Sequence, residues 1–446
     1  MDRLSTGIKD HKLLASVLNI KALLLFGGVA HVFATFAVYL IGAARLVPNW
    51  IYPEGVLRED PSRYLIRCRE LSLAMSNGNF DFLYTYQEQI QIRLYALSHF
   101  LQARFIGSNV LTFELVNLPL FLALLFLVYK IGEIVFGKRI GIVSAYLLVF
   151  FPSLMLHTTQ PLRDLLFIVV FLFLVFLLLK LLTKDLSAKQ SFGWVAIACL
   201  NFLLLWFVRD SMFPVYFAVV LAAFVFMAIR VFYDGWRFKW NVFPLTGLAI
   251  AIFLTPFLLS NYLPLKRGEK PESRDSSIVK SNVTNRSGQP AYLRKINTIR
   301  YGFSVSYRDA GSNIDAGYLF ENSSDLITYL PKAAAIGLFA PFPNTWLGEG
   351  VEYGKTGRLI SGFETLIFYL IMILAVYSVY KDRSLPTFFL ATIFLIGVTS
   401  LGLVMINVGA IYRMRYVFWI LLIIAATNGA LKIATSLRIR QTEAII

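Results

Sequence analysis

Residues 165–182 read LLFIVVFLFLVFLLLKLL, with a single charge in eighteen positions. A run of this length matches the roughly 20 residues that a helix needs to cross the hydrocarbon core of a bilayer. It is one of many. Apolar runs bounded by breakers occupy 22–45, 112–134, 139–157, 162–182, 192–208, 212–233, 241–262, 359–380, 385–406 and 412–433. In lipid every backbone polar group must be satisfied within the segment, so such runs become helices. The expected fold is therefore all-α and polytopic, with about ten transmembrane helices. Composition agrees, with 57% hydrophobic residues, 15% charged, 39 Phe and 22 Tyr. The first run is too long, and too closely followed by others, to be a cleaved signal peptide.

The formal charge of +16 would suggest nucleic acid in a soluble chain. Here the Lys and Arg residues collect in alternate short loops. Lys138 and Arg139 follow the second run, Lys180 and Lys184 the fourth, Arg230 and Lys239 the sixth, and Lys381 and Arg383 the eighth. The positive-inside rule puts those loops, and with them both termini, in the cytoplasm. Two long segments, 46–111 and 263–358, then lie outside the membrane. This divides the chain into a seven-span core (1–262), an extracytoplasmic loop (263–358) and a three-span C-terminal segment (359–446). In the first loop Ile90, Leu94, Leu97 and Leu101 fall at helical spacing, which predicts an amphipathic helix along the outer surface. The run 326–343, interrupted by Pro331 and Lys332, is expected to lie in the interface or dip into it. Cys68 and Cys199 form no metal or disulfide pattern and are read as unpaired thiols.

Under this topology, polar residues gather on the outer face. The turn HTTQPLRD brings His157, Arg163 and Asp164 between the third and fourth spans, and Arg209-Asp210 repeats the Arg-Asp pair at the next outer turn. Tyr412, Arg413 and Arg415 open the last span, while Glu59 and Asp60 lie in the first loop. Each has an ordinary explanation: a loop needs polar residues, exposed ion pairs contribute little, and arginines anchor helices at the interface. Together they suit chemistry on a lipid-linked phosphate. Arginines bind phosphate oxygens bidentately, and a carboxylate can take the proton of an acceptor hydroxyl.

Three stretches carry a resemblance to a family. DPSRYLIRCRELSLAMSNGNF (60–80) resembles the acid-bearing first outer loop of the polytopic GT-C glycosyltransferases, the group of protein O-mannosyltransferases and lipid A aminoarabinose transferases. FGKRIGIVSAYLLVFFPSLMLHTTQPLRDLLF (136–167) resembles their core from the second to the fourth span, and IYRMRYVFWILLIIAA (411–426) their late Arg-Tyr motif. The resemblance implies transfer of a sugar from a polyprenyl-phosphate donor to an acceptor hydroxyl outside the membrane, with inversion. It implies Asp60 as general base, with Glu59 as the alternative, and Asp164 as the second acid. Arg163, Arg209, Arg413 and Arg415 would hold the donor phosphate, with His157, Asp210 and Tyr412 as further substrate contacts. No cofactor is required by this scheme, and a divalent metal is compatible with it. The expected partners are the lipid-linked sugar, a glycolipid, polysaccharide or protein acceptor, and membrane lipid, in a bacterial inner membrane. Two rivals stand beside it. One is a repeat-unit polymerase or ligase using a lipid-pyrophosphate donor through the loop arginines Arg274, Arg286, Arg294, Arg300 and Arg308. The other is a lipid-linked sugar flippase, which would need ionisable residues deep in its spans; the sequence reading finds charges only at their outer ends.

Overall fold

The computed structural model describes residues 19–58, 60–83, 89–235, 239–261, 289–308, 311–350 and 354–443, and Glu59 lies outside them. Among the described residues all regular structure is helical. The helices are α1 (Ile20–Ala43), α2 (Asp60–Ser76), α3 (Ile90–Ile106), α4 (Glu114–Phe136), α5 (Lys138–Val149), α6 (Pro152–Thr158), α7 (Arg163–Thr183), α8 (Ala188–Arg209), α9 (Phe213–Tyr233) and α10 (Val242–Asn261). There follow α11 (Ala291–Ser306), α12 (Ser323–Phe339), α13 (Gly354–Asp382), α14 (Leu385–Val404), α15 (Val408–Met414) and α16 (Tyr416–Glu443). Among the described residues seven helical stretches are long and apolar enough to cross a membrane, and the bent pair α5–α6, taken as one span, makes an eighth. The protein is polytopic and all-α, as its apolar runs require.

Two of those stretches show how local chemistry cuts the chain. Proline has no N–H to donate, so it starts a helix more easily than it continues one. Pro152 is the first residue of α6, and the chain turns by 75° there. The helical stretch Ala188–Tyr233 is a hairpin of α8 and α9. Phe202 and Tyr216 would stand about 21 Å apart along a straight helix, yet their ring centroids are 6.3 Å apart. Arg209, at φ −158 and ψ 75, is where the chain reverses. With α10 as a further 20-residue helix, the helices follow the ten apolar runs.

The chain forms two compact units, Met1–Leu265 with Leu374–Phe389 and Ile423–Ile446, and Lys266–Ile373 with Leu390–Leu422. In the first, α7 packs on α4, α8 and α9. It is apolar on every face, so it can give up lipid contact altogether, and nearly all of Leu165–Leu182 is buried. Small residues let α4 and α5 pack closely. A Cβ on Gly132 would sit 2.6 Å from Gly141 Cα. At one end of the unit, Asp185 binds Arg230 at 2.6 Å and Lys239 at 3.1 Å, bringing two of the basic turns together. A buried polar contact ties α1 to α4: His31 Nδ1 lies 3.2 Å from Glu114 Oε2, and Thr35 donates to the same carboxylate. This corrects the expectation that ionisable residues occur only at the outer ends, because His31 is fully buried halfway along α1. A single pair joining neighbouring helices does not supply the two related halves of a transporter.

The predicted loop helix is present as α3, and its faces differ in use. Ile92, Tyr95, Ala96 and His99 are buried against the protein, while Leu94, Leu97 and Leu101 are 38–48% exposed. The leucine stripe therefore remains available to a membrane surface. In the second unit, Pro331 does not interrupt its run. Asn322 and Asp325 form a reciprocal capping box, and α12 continues through the proline to Phe339. Glycines again allow close packing: a Cβ at Gly337 would overlap the Val398 carbonyl, and one at Gly402 the Ala333 carbonyl, so α12 packs directly against α14.

Candidate functional site

The turn 157–164 is not an exposed hairpin tip. Thr158, Thr159, Gln160, Pro161 and Leu162 are all buried. A buried turn must find partners for its backbone groups, since each unsatisfied one costs about 1–3 kcal/mol. Asn117, on α4, donates through Nδ2 to the carbonyls of Thr159 (3.1 Å) and Gln160 (3.3 Å). The Tyr95 hydroxyl on α3 lies 2.7 Å from Asn117 Oδ1 and 3.0 Å from the Leu162 carbonyl. Burial raises the Tyr95 pKa, so the hydroxyl stays protonated as the donor these acceptors need.

Gln160 in turn reaches the first loop. The Leu57 N–H donates to Gln160 Oε1 at 2.9 Å, and Gln160 Nε2 donates to the Gly55 carbonyl at 3.3 Å. Leu57 is three residues before Asp60, and Gln160 four before Asp164. One amide side chain thus fastens the loop carrying the first acid to the turn carrying the second. Asp60 is half-buried and begins α2. A second knot fixes the far end of the same loop. Arg69 donates to Ser108 Oγ at 2.6 Å and to Glu54 Oε1 at 3.1 Å, and His99 Nε2 lies 2.7 Å from Ser108 Oγ. Burial, with Arg69 nearby, lowers His99 from 6.5 to about 4. The ring is therefore neutral at physiological pH, and Ser108 can donate to it while accepting from Arg69.

The two Arg-Asp pairs of the sequence are used crosswise. Arg209 Nη1 meets Asp164 Oδ1 at 3.4 Å, with side chains only 1% and 8% exposed. Arg209 is therefore not part of an exposed ion pair of the kind that contributes little. Asp164 sits in the first turn of α7, where the helix dipole favours a carboxylate. Arg209 also lies over the Phe167 ring at 5.0 Å, and its carbonyl accepts from the Tyr216 hydroxyl at 3.0 Å. The remaining members, Arg163 and Asp210, are both half-buried. Arg163 makes no hydrogen bond or ion pair among the described residues. His157 donates through Nδ1 to the Ser153 carbonyl at 2.6 Å, a bond within one helical turn of α6.

The late arginines belong to the second unit. Arg415 is fully buried, donates to the Ala340 carbonyl, and lies 5.1–5.4 Å from the ring centroids of Tyr412, Trp419 and Phe368. Such an enclosure holds a cation in place by its ring faces. Tyr412 is thereby a wall of that enclosure, and Arg413 is half-buried on α15. Of the loop arginines, Arg300 is committed to the backbone, donating to the carbonyls of Tyr318 (3.1 Å), Leu403 (2.7 Å) and Asp315 (3.2 Å). Arg294 and Arg308 are exposed, and Arg274 and Arg286 lie outside the described residues. No three His, Cys, Asp or Glu residues among those described are grouped to hold a metal.

Sequence reading missed Tyr95, Asn117 and Gln160. Gln160 stood within the quoted turn, and Asn117 was a lone amide in an apolar span, which is itself a signal that the amide has a buried partner.

No family model and no curated protein matches the chain. Among solved structures it is similar to the archaeal oligosaccharyltransferase AglB from Archaeoglobus fulgidus, in complex with an inhibitory peptide and a dolichol-phosphate. The likeness has a TM-score of 0.47 and 15% sequence identity, and it covers 96% of this chain and 52% of that one. The chain thus spans about half the length of that protein.

Proposed function

We propose that this protein is a membrane glycosyltransferase that moves a sugar from a polyprenyl-phosphate donor to an acceptor hydroxyl on the extracytoplasmic face. The reading rests on one observation above others: Gln160 clamps the loop that leads into Asp60 onto the turn that leads into Arg163 and Asp164. Asp60 is the base. It takes the acceptor hydroxyl proton as the oxygen attacks the anomeric carbon, and the bond from that carbon to the lipid phosphate breaks. A single displacement of this kind inverts the anomeric centre, by the logic of inverting glycosidases. Arg163, which has no ion partner among the described residues, is offered to the phosphate, whose developing charge it meets as the leaving group departs.

Asp164 acts through Arg209 rather than as a second base, because the two are already joined in a buried pair. Arg415, held by aromatic rings, is a positioning residue within the second unit. Cytoplasmic termini follow from the charge of the short loops. The rival mechanism through loop arginines loses Arg300, whose guanidinium is buried on three carbonyls.

The test supplies membranes containing the protein with radiolabelled polyprenyl-phosphate sugars and follows label into the acceptor fraction. Asp60→Asn removes the base and abolishes transfer while leaving the chain folded. Transfer at the wild-type rate by that variant, or transfer only from lipid-pyrophosphate donors, would overturn the reading.

A further inference from the structure

Between α11 and α12 the second unit builds a small exposed surface that no part of the scheme above uses. Asp315 holds a left-handed backbone, φ 52, which a non-glycine residue adopts at some cost. Its carbonyl accepts from the Tyr318 N–H at 3.0 Å, closing a tight turn over Asp-Ala-Gly-Tyr. A fully buried arginine enforces that turn from beneath, since Arg300 donates to the carbonyls of both Asp315 and Tyr318. Strain held by buried polar bonds marks a place where shape matters.

The turn presents two groups. The Tyr318 ring lies flat on Tyr329, with centroids 5.2 Å apart and planes at 16°, and Phe320 meets it edge-on at 84°. One face is thus packed and the residue is still 41% exposed. Beside it, Asp315 Oδ2 takes both Lys332 Nζ at 2.6 Å and the Tyr329 hydroxyl at 2.8 Å. Among the described residues Oδ1 takes no partner, although the carboxylate is held ionised by Lys332 and Tyr329, which together outweigh its partial burial.

We propose that Tyr318 and Asp315 form a binding subsite for a neutral hexopyranose ring of a glycan. The C–H face of a pyranose carries partial positive charge and suits the negative face of an aromatic ring. Its hydroxyl donates to a fixed carboxylate oxygen in a charge-assisted bond. The turn is also strapped to the segment that starts α15. Ile314 N–H donates to the Ile406 carbonyl at 2.9 Å, and Val408 N–H to the Ser312 carbonyl at 3.3 Å. Arg413 lies six residues beyond Asn407, about 9 Å of helical rise. The subsite and that arginine are therefore parts of one framework. That the bound sugar is the acceptor rests on the transferase reading; the binding itself does not.

Saturation-transfer NMR on the purified full chain tests it with the methyl glycosides of glucose, galactose, mannose and N-acetylglucosamine. Ring C–H signals of at least one glycoside should receive saturation. Binding should survive Tyr318→Phe, disappear with Tyr318→Ala, and weaken about tenfold with Asp315→Asn, the scale of one lost charge-assisted bond. The subsite is overturned if none of the four binds, or if Tyr318→Ala binds as the wild type does. A chain that binds a glycoside but uses no polyprenyl-phosphate sugar keeps this subsite and loses the transferase reading; the opposite result removes the subsite alone.

Discussion

Gln160→Met is the sharpest probe of how the candidate site is held. Methionine has nearly the length and volume of glutamine, so the substitution removes polarity with little change in packing. Gln160 is fully buried. Its loss leaves the Leu57 N–H and the Gly55 carbonyl without their side-chain partner in a buried segment. Each orphaned group costs about 1–3 kcal/mol, and the two together about 2–6 kcal/mol if the loop stays in place. The loop has a cheaper alternative, which is to lift away and hydrate those groups. The expected outcome is therefore a modest fall in stability and a much larger fall in transfer, because Asp60 leaves with the loop. Denaturant midpoints in detergent give the first quantity, and label transfer from the lipid donor the second. Backbone amide exchange at 55–58 should rise in the variant. If transfer and exchange both match the wild type, the clamp does not position the first acid and the proposed site loses its basis.

The buried ion pair should behave asymmetrically. Arg209→Met leaves Asp164 without its cation and should cost about 3–5 kcal/mol, while adding Asp164→Asn should restore part of that loss in denaturant titration. His99 gives a pH dependence of definite sign. Its folded-state value of about 4 lies below its ordinary 6.5, so the unfolded chain binds the proton more readily. Its contribution is complete above about 6.5 and is lost as pH falls towards 4, and His99→Gln should flatten that part of a stability-against-pH curve. Gly337→Ala places a methyl group on the Val398 carbonyl and should cost about 1–3 kcal/mol in the second unit, read as a lowered midpoint.

How far the sequence could be read depended on whether the governing interaction was local. Span formation is local, since it needs only an apolar run of sufficient length, and the helices fall where the runs do. The two prolines show the limit of local reading. Pro152 breaks its span at a 75° bend, while Pro331 is carried inside α12. A capping box before Pro331 and close packing on α14 stabilise the second helix in spite of its proline. Nothing within the run itself announces either one. The amphipathic loop helix was legible as a helix, but its leucine stripe is not the face that the protein buries. Ile92, Tyr95 and His99 point inward because Asn117 and Ser108 wait there for Tyr95 and His99. Those pairings depend on the assembled fold.

The crosswise use of the Arg-Asp pairs carries the most consequence. By sequence, 163–164 and 209–210 are identical dipeptides at successive turns, and each is neutral by itself. In the fold the buried pair takes Arg209 from one and Asp164 from the other, with both side chains almost wholly removed from solvent. The desolvation cost of an arginine so enclosed is large unless its charge is matched, and Asp164, favoured by the α7 dipole, supplies the match. Matching the buried charges leaves Arg163 half-exposed, beside the turn that Gln160 fastens to the first loop and without an ion partner among the described residues. The dipeptide's guanidinium thus stands half-buried at the margin of the candidate site, with no hydrogen bond or ion pair of its own among the described residues. An anionic group on the substrate is what such a cation would select, and Arg163→Gln should therefore raise the KM for a lipid phosphate donor more than it changes stability.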